Sequence, residues 1–332
     1  MKDDKKIALS SEDNRNPDNV HTSEDLRQMQ AMTLGAKILA TQTRLMEWYY
    51  KYNGNIYISF SGGKDSTVLL DIARKMFPDI PAVYIDTGLE FPELREFVKT
   101  TDNVTWIKPE MSFRKVIETY GYPLISKDVA RFIWTARKQP HGKVAARFEP
   151  DNEHDQKYGS RYSVAKWKFL LDSNIPISHK CCDIMKKNPA KKYEKETGNK
   201  PVVATMACES QERRTQWLQY GCNVFSDRRP ISRPMSFWTE QDVLEYIVKY
   251  NLNYASVYGD IILDKNGKLK TTGEQRTGCV FCGFGVQVEK EPNRFQCRKQ
   301  THPQLWKYCM KPWDNGGLGL KEVLEFIHVK TE

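Results

Sequence analysis

The chain has 332 residues, 51 Lys and Arg against 42 Asp and Glu, and a net charge of +9. Hydrophobic residues make up 39% and charged residues 28%, a balance that supports one large or two ordinary domains and excludes wholesale disorder. No run approaches the roughly 18 apolar residues of a membrane span, and the opening MKDDKKIALSSEDNRN has no apolar signal core, so a cytoplasmic address is expected.

Residues 1–21 are polar and aperiodic and read as a mobile tail. Thr22 with Asp25 resembles a capping box, and few breakers follow before Asn53, which predicts one long helix. Asn55–Phe60 (NIYISF) reads as a strand, and Ser66–Phe77 carries Leu69, Ile72, Ala73 and Met76 at helical spacing. Pro81–Asp86 and Asn103–Ile107 are further strands, and this rhythm predicts an α/β fold with a parallel twisted sheet and helices on both faces. Lys127–Lys138 reads as helix, Pro140–Gly159 as polar loop, Lys200–Met206 as strand and Glu240–Tyr250 as helix. The last fifty or so residues hold four cysteines and little periodicity, which suggests a lobe organised by metal. The expected organisation is therefore a tail (1–21), a nucleotide-binding domain (22–255) and a cysteine-rich C-terminal lobe (256–332).

The positive charge is concentrated. Residues 127–200 carry 17 Lys and Arg against 9 Asp and Glu, nearly the whole surplus of the chain. Such a basic insertion attracts polyanions, nucleic acid among them, although a solvated helix face has the same composition. Trp217, Trp238, Trp306 and Trp313 are candidates for base stacking or for plain core positions. His179 and His302 lack spaced partners and read as structural before they read as ligands.

Ser61-Gly62-Gly63-Lys64-Asp65-Ser66 directly follows the first strand and opens a helix. Two glycines let the backbone approach a phosphate, the helix start offers unpaired N–H groups, and Ser61, Ser66 and Lys64 add hydroxyls and a cation. The spacing is neither that of a Walker loop nor that of a GxGxxG turn. Gly316-Gly317-Leu318-Gly319 follows no strand and reads as a loop.

This loop resembles the pyrophosphate-binding loop of the PP-loop ATP pyrophosphatase and PAPS reductase-like superfamily. Four further blocks are similar in the same order: Tyr84 to Glu93 with Asp86-Thr87-Gly88, Cys181-Cys182 followed by Lys186 and Pro189, Glu209-Ser210 with Arg213, and Trp238-Thr239 through Ile247. The resemblance implies an adenine-nucleotide α-hydrolase-like fold, with ligand at the C-terminal ends of the strands. It assigns Ser61 to Ser66 to the phosphates of ATP with Mg²⁺, and Asp86, Thr87 and Gly88 to the nucleoside. Glu209, Ser210 and Arg213 would close the site, and Lys64, Asp65 and Arg213 would act catalytically. One departure stands out: Ala204-Thr205-Met206 occupies the place where reductases carry Gly-x-Arg, so a sulfonucleotide substrate is in question.

Eight cysteines in a reducing compartment point to metal ligands or catalytic thiols rather than disulfides. Cys279-Val280-Phe281-Cys282 is a metal-type CxxC. Together with Cys181-Cys182 it resembles the [4Fe-4S] signature of APS reductases and related cluster-bearing members. A cluster takes one thiolate per iron, so adjacent cysteines can serve two irons. Cys309 is an alternative fourth ligand, and Cys279, Cys282, Cys297 and Cys309 together form a possible local zinc knuckle. Cys208 and Cys222 read first as packing.

The sequence thus favours an ATP-dependent, adenylating sulfur-transfer enzyme acting on nucleic acid (DNA or tRNA), served by a sulfur-donor protein and bearing an iron–sulfur cluster. A sulfonucleotide reductase is the alternative; such enzymes use an ECG-type tail cysteine, whereas this chain ends LEFIHVKTE. A nucleotide-binding regulator without turnover is the third reading, weakened by the intact loop.

Overall fold

The computed structural model describes residues 20–159, 163–225 and 229–332. The expected tail at 1–21 lies, except for its last two residues, outside them. The chain condenses into two compact units. One takes residues up to 83, 101–104 and 198–273; the other takes 84–100, 105–197 and 274–332. The basic middle segment, up to residue 197, and the cysteine-bearing C-terminal segment from 274 onward fall in the same unit.

In chain order the elements begin with α1 (Ser23–Ala31), α2 (Leu34–Lys51), β1 (Ile56–Ser59), α3 (Lys64–Met76), β2 (Ala82–Ile85) and α4 (Pro92–Lys99). Next come β3 (Val104–Ile107), α5 (Phe113–Tyr120), β4 (Leu124–Ile125), α6 (Lys127–Lys138), α7 (Lys143–Ala146), α8 (Glu153–Tyr158) and α9 (Asn188–Thr197). β5 (Lys200–Val202), α10 (Gln211–Tyr220), β6 (Asn223–Val224), β7 (Ile231–Ser232), α11 (Glu240–Lys249), β8 (Ile261–Leu263) and β9 (Leu269–Thr271) follow. The chain closes with β10 (Gly283–Phe284), α12 (Arg294–Thr301), α13 (Pro303–Met310) and α14 (Leu320–Phe326).

The main sheet has six strands in the order β3-β2-β1-β5-β7-β6. β1 pairs in parallel with β2 and with β5, β5 pairs in parallel with β7, and β6 adds an antiparallel edge. Ile56, Tyr57 and Ile58 of β1 are all buried, as expected of a strand covered on both faces. The α/β sheet read from the sequence is therefore present. Brief strands β4 and β10 pair in parallel elsewhere, and β8 and β9 form a hairpin.

Three local expectations are corrected. The long N-terminal helix is two helices: Met32 turns extended, and Thr33 caps a new start by accepting from the Ala36 N–H at 3.4 Å. The capping box of Thr22 and Asp25 is formed as expected. The strand expected to reach Met206 stops at Val202, and Glu209 accepts the Met206 N–H at 2.8 Å to open a short 3₁₀ turn. Finally, the aperiodic C-terminal residues build three short helices around buried Phe295, Met310, Leu318, Leu320 and Leu324. Their patterns are too short for one apolar stripe to show.

The first unit is pinned by one buried ion pair. Nζ of Lys37 on α2 donates to both carboxylate oxygens of Asp242 on α11, at 2.7 and 2.6 Å. The same carboxylate accepts from the N–H and hydroxyl of Thr239, each at 2.7 Å, so it also caps α11. Removing one partner of a buried pair strands the other charge, at a cost of about 3–5 kcal/mol. Asp242→Ala is expected to destabilise the protein by about that amount in urea unfolding; a wild-type midpoint would contradict this.

Candidate functional site

In the first unit, the chain leaves β1 and turns through Ser61-Gly62-Gly63 into α3. Gly62 has φ +73, a left-handed conformation that glycine adopts without strain. Gly63 is the N-cap of α3 and offers no side-chain acceptor to its first turn. The serines tie the loop together: the Ser61 N–H donates to Oγ of Ser66 at 3.2 Å, the Gly63 N–H to Oγ of Ser61 at 3.3 Å, and Oγ of Ser66 to the Gly63 carbonyl at 2.9 Å. A preformed turn with a glycine-capped helix start could hold an anion.

Lys64 is buried, and its ammonium sits 3.4 Å from Asp65 and 3.4 Å from Glu240. Burial opposes its charge, yet Asp65, Tyr258 and Glu240 outweigh burial and hold its pKa above the ordinary value. Its backbone N–H donates to the Tyr258 hydroxyl at 3.2 Å, and its ammonium lies 5.4 Å from the centre of that ring. Burial pushes the Asp65 carboxyl up; Lys64 pulls it down, and Glu209 and Glu240 push it further up. Glu209 thereby joins the loop, and Arg213 pairs with Glu209 one helical turn on. Ser210 caps α10, accepting the Arg213 N–H at 3.2 Å. The loop and the Glu209-Ser210-Arg213 block thus lie within one unit and are electrostatically linked. Glu240 and Tyr258 are additional residues that the motif reading passed over.

Asp86, Thr87 and Gly88 belong to the second unit. Asp86 is buried and paired with Arg95 at 2.7 Å. The Thr87 hydroxyl donates to Glu90 at 2.8 Å, and Gly88 turns with φ +71. This turn leads directly to the cysteines, since the Val280 N–H donates to the Leu89 carbonyl at 2.7 Å.

Cys181, Cys182, Cys279 and Cys282 feel one another's charge. Burial, and then the neighbouring thiols, push Cys181 far above the ordinary thiol range; burial and Cys279 push Cys282 up to about 11. Lys186 is hydrogen-bonded to Cys279 and lies 3.8 Å from Glu90. Burial opposes the Lys186 charge, but Cys279 and Glu90 outweigh it and raise its pKa. Among the described residues, no three His, Cys, Asp or Glu side chains converge closely enough to hold a single metal ion. A zinc tetrahedron with Zn–S of about 2.3 Å would bring its sulfurs to within about 3.8 Å of one another. Among the described residues the local zinc knuckle of Cys279, Cys282, Cys297 and Cys309 is therefore not assembled.

The remaining candidates are dispersed. Cys309 is buried, with Arg298 as its charged neighbour, and Cys297 donates to the Pro292 carbonyl at 3.6 Å. Cys208 donates to the Trp238 carbonyl at 3.4 Å, and Cys222 is buried. His302 is hydrogen-bonded to Glu93 at 3.0 Å, and burial lowers the pKa of His179. Trp217 and Trp238 are core residues: Trp217 stacks on His21, and Trp238 donates to Thr41 at 2.9 Å. Lys299 covers the ring of Trp306, and Arg114 that of Trp313.

Comparison with known proteins agrees with the motif reading. Residues 55–126 match the phosphoadenosine phosphosulfate reductase domain family. A protein of Methanocaldococcus jannaschii named only as uncharacterised is 25% identical over 296 residues, covering 88% of this chain and 55% of its own. A second protein of that organism is covered over 42% of its length, so the chain spans about half of these relatives. An adenosine 5'-phosphosulfate reductase of Staphylococcus haemolyticus is 24% identical over 220 residues, or 64% of this chain and 70% of that enzyme. A solved phosphoadenylyl-sulfate reductase of Candida auris is similar over 74% of this chain and 97% of its own, with TM-score 0.37 and 15% identity.

Only the thiolate attacks an alkylating agent. In the metal-free protein Cys181, Cys279 and Cys282 are expected to react slowly with iodoacetamide at pH 7 and faster as the pH climbs. Lys186→Ala removes the cation that favours the Cys279 thiolate, and should slow labelling of Cys279 at pH 8 several-fold. An unchanged rate by mass spectrometry would contradict this electrostatic assignment.

Proposed function

We propose that this protein is an ATP-dependent, pyrophosphate-releasing sulfur-transfer enzyme that modifies nucleic acid. The observation that carries the reading is the glycine-capped start of α3, with the charge of Lys64 held beside it. The β- and γ-phosphates of ATP settle against the backbone of Gly62 and Gly63 and the first turn of α3, and Lys64 offsets their charge. Mg²⁺ commonly binds through one or two carboxylates together with phosphate oxygens, and Asp65 and Glu209 would be the carboxylates to hold it. An acceptor oxygen attacks the α-phosphorus; the bond to the bridging oxygen breaks, and pyrophosphate leaves with that electron pair. A sulfide-level sulfur from the donor protein then attacks the activated atom of the acceptor, whose bond to the adenylate oxygen breaks as AMP leaves with that electron pair. The protein's contribution is alignment and neutralisation of developing charge.

The thiol chemistry of Cys181, Cys182, Cys279 and Cys282 suits a [4Fe-4S] cluster, which takes one thiolate per iron and spans more space than a single ion. These four residues would hold it, and when bound it would carry or activate sulfur. Lys186 would offset the negative charge that four thiolates bring.

A second reading, reduction of APS or PAPS, is favoured by the likeness to adenosine 5'-phosphosulfate reductases. Ala204-Thr205-Met206, in the place of the arginine-bearing turn, weighs against it.

Incubation with Mg-ATP should yield pyrophosphate rather than phosphate, stimulated by DNA or tRNA. Lys64→Ala is expected to lower that rate at least 100-fold, the scale of losing one preorganised charge contact. Sulfite released from APS or PAPS would replace this reading with the second, and nucleotide binding without products would overturn both. Anaerobic purification should give about four irons per chain, with Cys282→Ser losing most of them; a colourless, zinc-only protein would contradict the cluster.

A further inference from the structure

The second unit contains a cavity of about 1110 Å³ that none of the motifs touches. α6, the 165–170 turn and residues near Gln287 and His328 wall it. Its cations are Arg131, Arg147 and Lys166, with Asp128 as the acidic residue of the lining. The Arg147 guanidinium lies 4.2 Å over the ring of Phe132, and the Lys166 ammonium 5.2 Å from that of Trp167. Apolar surface is left open around it: Tyr158 is 62% exposed and Phe169 38%. Two polar atoms in the lining are buried without a hydrogen-bond partner among the described residues, Nε of Arg147 and Oε1 of Gln287. Gln287 is oriented by its own Nε2, which donates to the Ile125 carbonyl at 3.2 Å.

We infer that this cavity binds a short unpaired stretch of the nucleic acid whose modification is proposed above, an inference that rests on that reading for the identity of the ligand as substrate. The side chains match the two parts of a nucleotide. Aromatic rings and a stacked guanidinium receive the flat face of a base, and cations beside them receive phosphate. The open acceptor of Gln287 and the open donor of Arg147 suit the polar edge of a base. An acidic peptide would use the cations but leave the rings without a flat partner. A duplex hides its base faces in the stack, so the cavity selects single-stranded segments. Its size holds more than one nucleotide, and the surrounding basic segment, 17 Lys and Arg over residues 127–200, extends the attraction along the backbone.

The experiment is fluorescence anisotropy with a labelled twelve-nucleotide single strand, as DNA and as RNA, titrated with the full chain at two salt concentrations. Trp167→Ala and Lys166→Glu should each weaken binding at least fivefold, with Lys166→Glu also lowering the salt slope by about one. Their circular dichroism and melting should match wild type. Lys64→Ala, in the other unit, should bind the strand as wild type does, which separates this site from the nucleotide loop. Unchanged affinity in both cavity variants, equal affinity for duplex, displacement by polyglutamate at equal charge, or no binding by wild type would overturn the inference. Loss of strand binding in the variants of a protein that fails to cleave ATP would sustain this site while removing the sulfur-transfer reading.

Discussion

The arrangement depends on a helix whose N-cap is a glycine and so supplies no side-chain acceptor of its own. Every α-helix starts with N–H groups that have no partner within the helix, and most natural starts recruit Ser, Thr, Asp or Asn to satisfy one of them. α3 has Gly63 at that position instead, and its serines are occupied in closing the loop. The strand that feeds it, β1, is paired on both sides, so the turn issues from a rigid part of the sheet. The turn is thereby fixed by its own hydrogen bonds, with the Gly63 N–H on Ser61 and the Lys64 N–H on Tyr258.

Charge balance follows from that start. Lys64 is buried, and three groups hold its proton: Asp65, Tyr258 and Glu240. The second unit repeats the pattern with opposite sign. Cys181, Cys279 and Cys282 sit where burial favours their neutral form, and Lys186, supported by Glu90, is the cation that opposes it. At Lys64 a buried charge is tolerated because Asp65 and, from a distant part of the sequence, Glu240 converge on it.

What was legible in the sequence was local. The strand–loop–helix unit around Ser61–Ser66 could be read because its chemistry and geometry are contiguous, and the CC and CxxC pairs because thiols are few and their spacing is distinctive. Tyr258 and Glu240 were invisible: they lie 194 and 176 positions from Lys64, and nothing local marks a tyrosine or a helix-start glutamate as a partner for a phosphate-loop lysine. Glu90 stood inside a recognised block, but its bond to Lys186 follows only from the packing of the turn after β2 against the CxxC knuckle. The break at Met32–Thr33 was missed because Thr is tolerated within a helix and competes for capping only where the backbone turns. The three C-terminal helices were missed because each spans only two turns or so, too short for periodicity to rise above composition.

The most direct measurement is amide NMR of the protein titrated with Mg-ATP. Binding against the glycine-capped helix start should move the resonances of Gly62, Gly63 and Lys64 first and furthest, and inorganic pyrophosphate should move the same three. Shifts confined to other amides, or none at saturating nucleotide, would contradict the account.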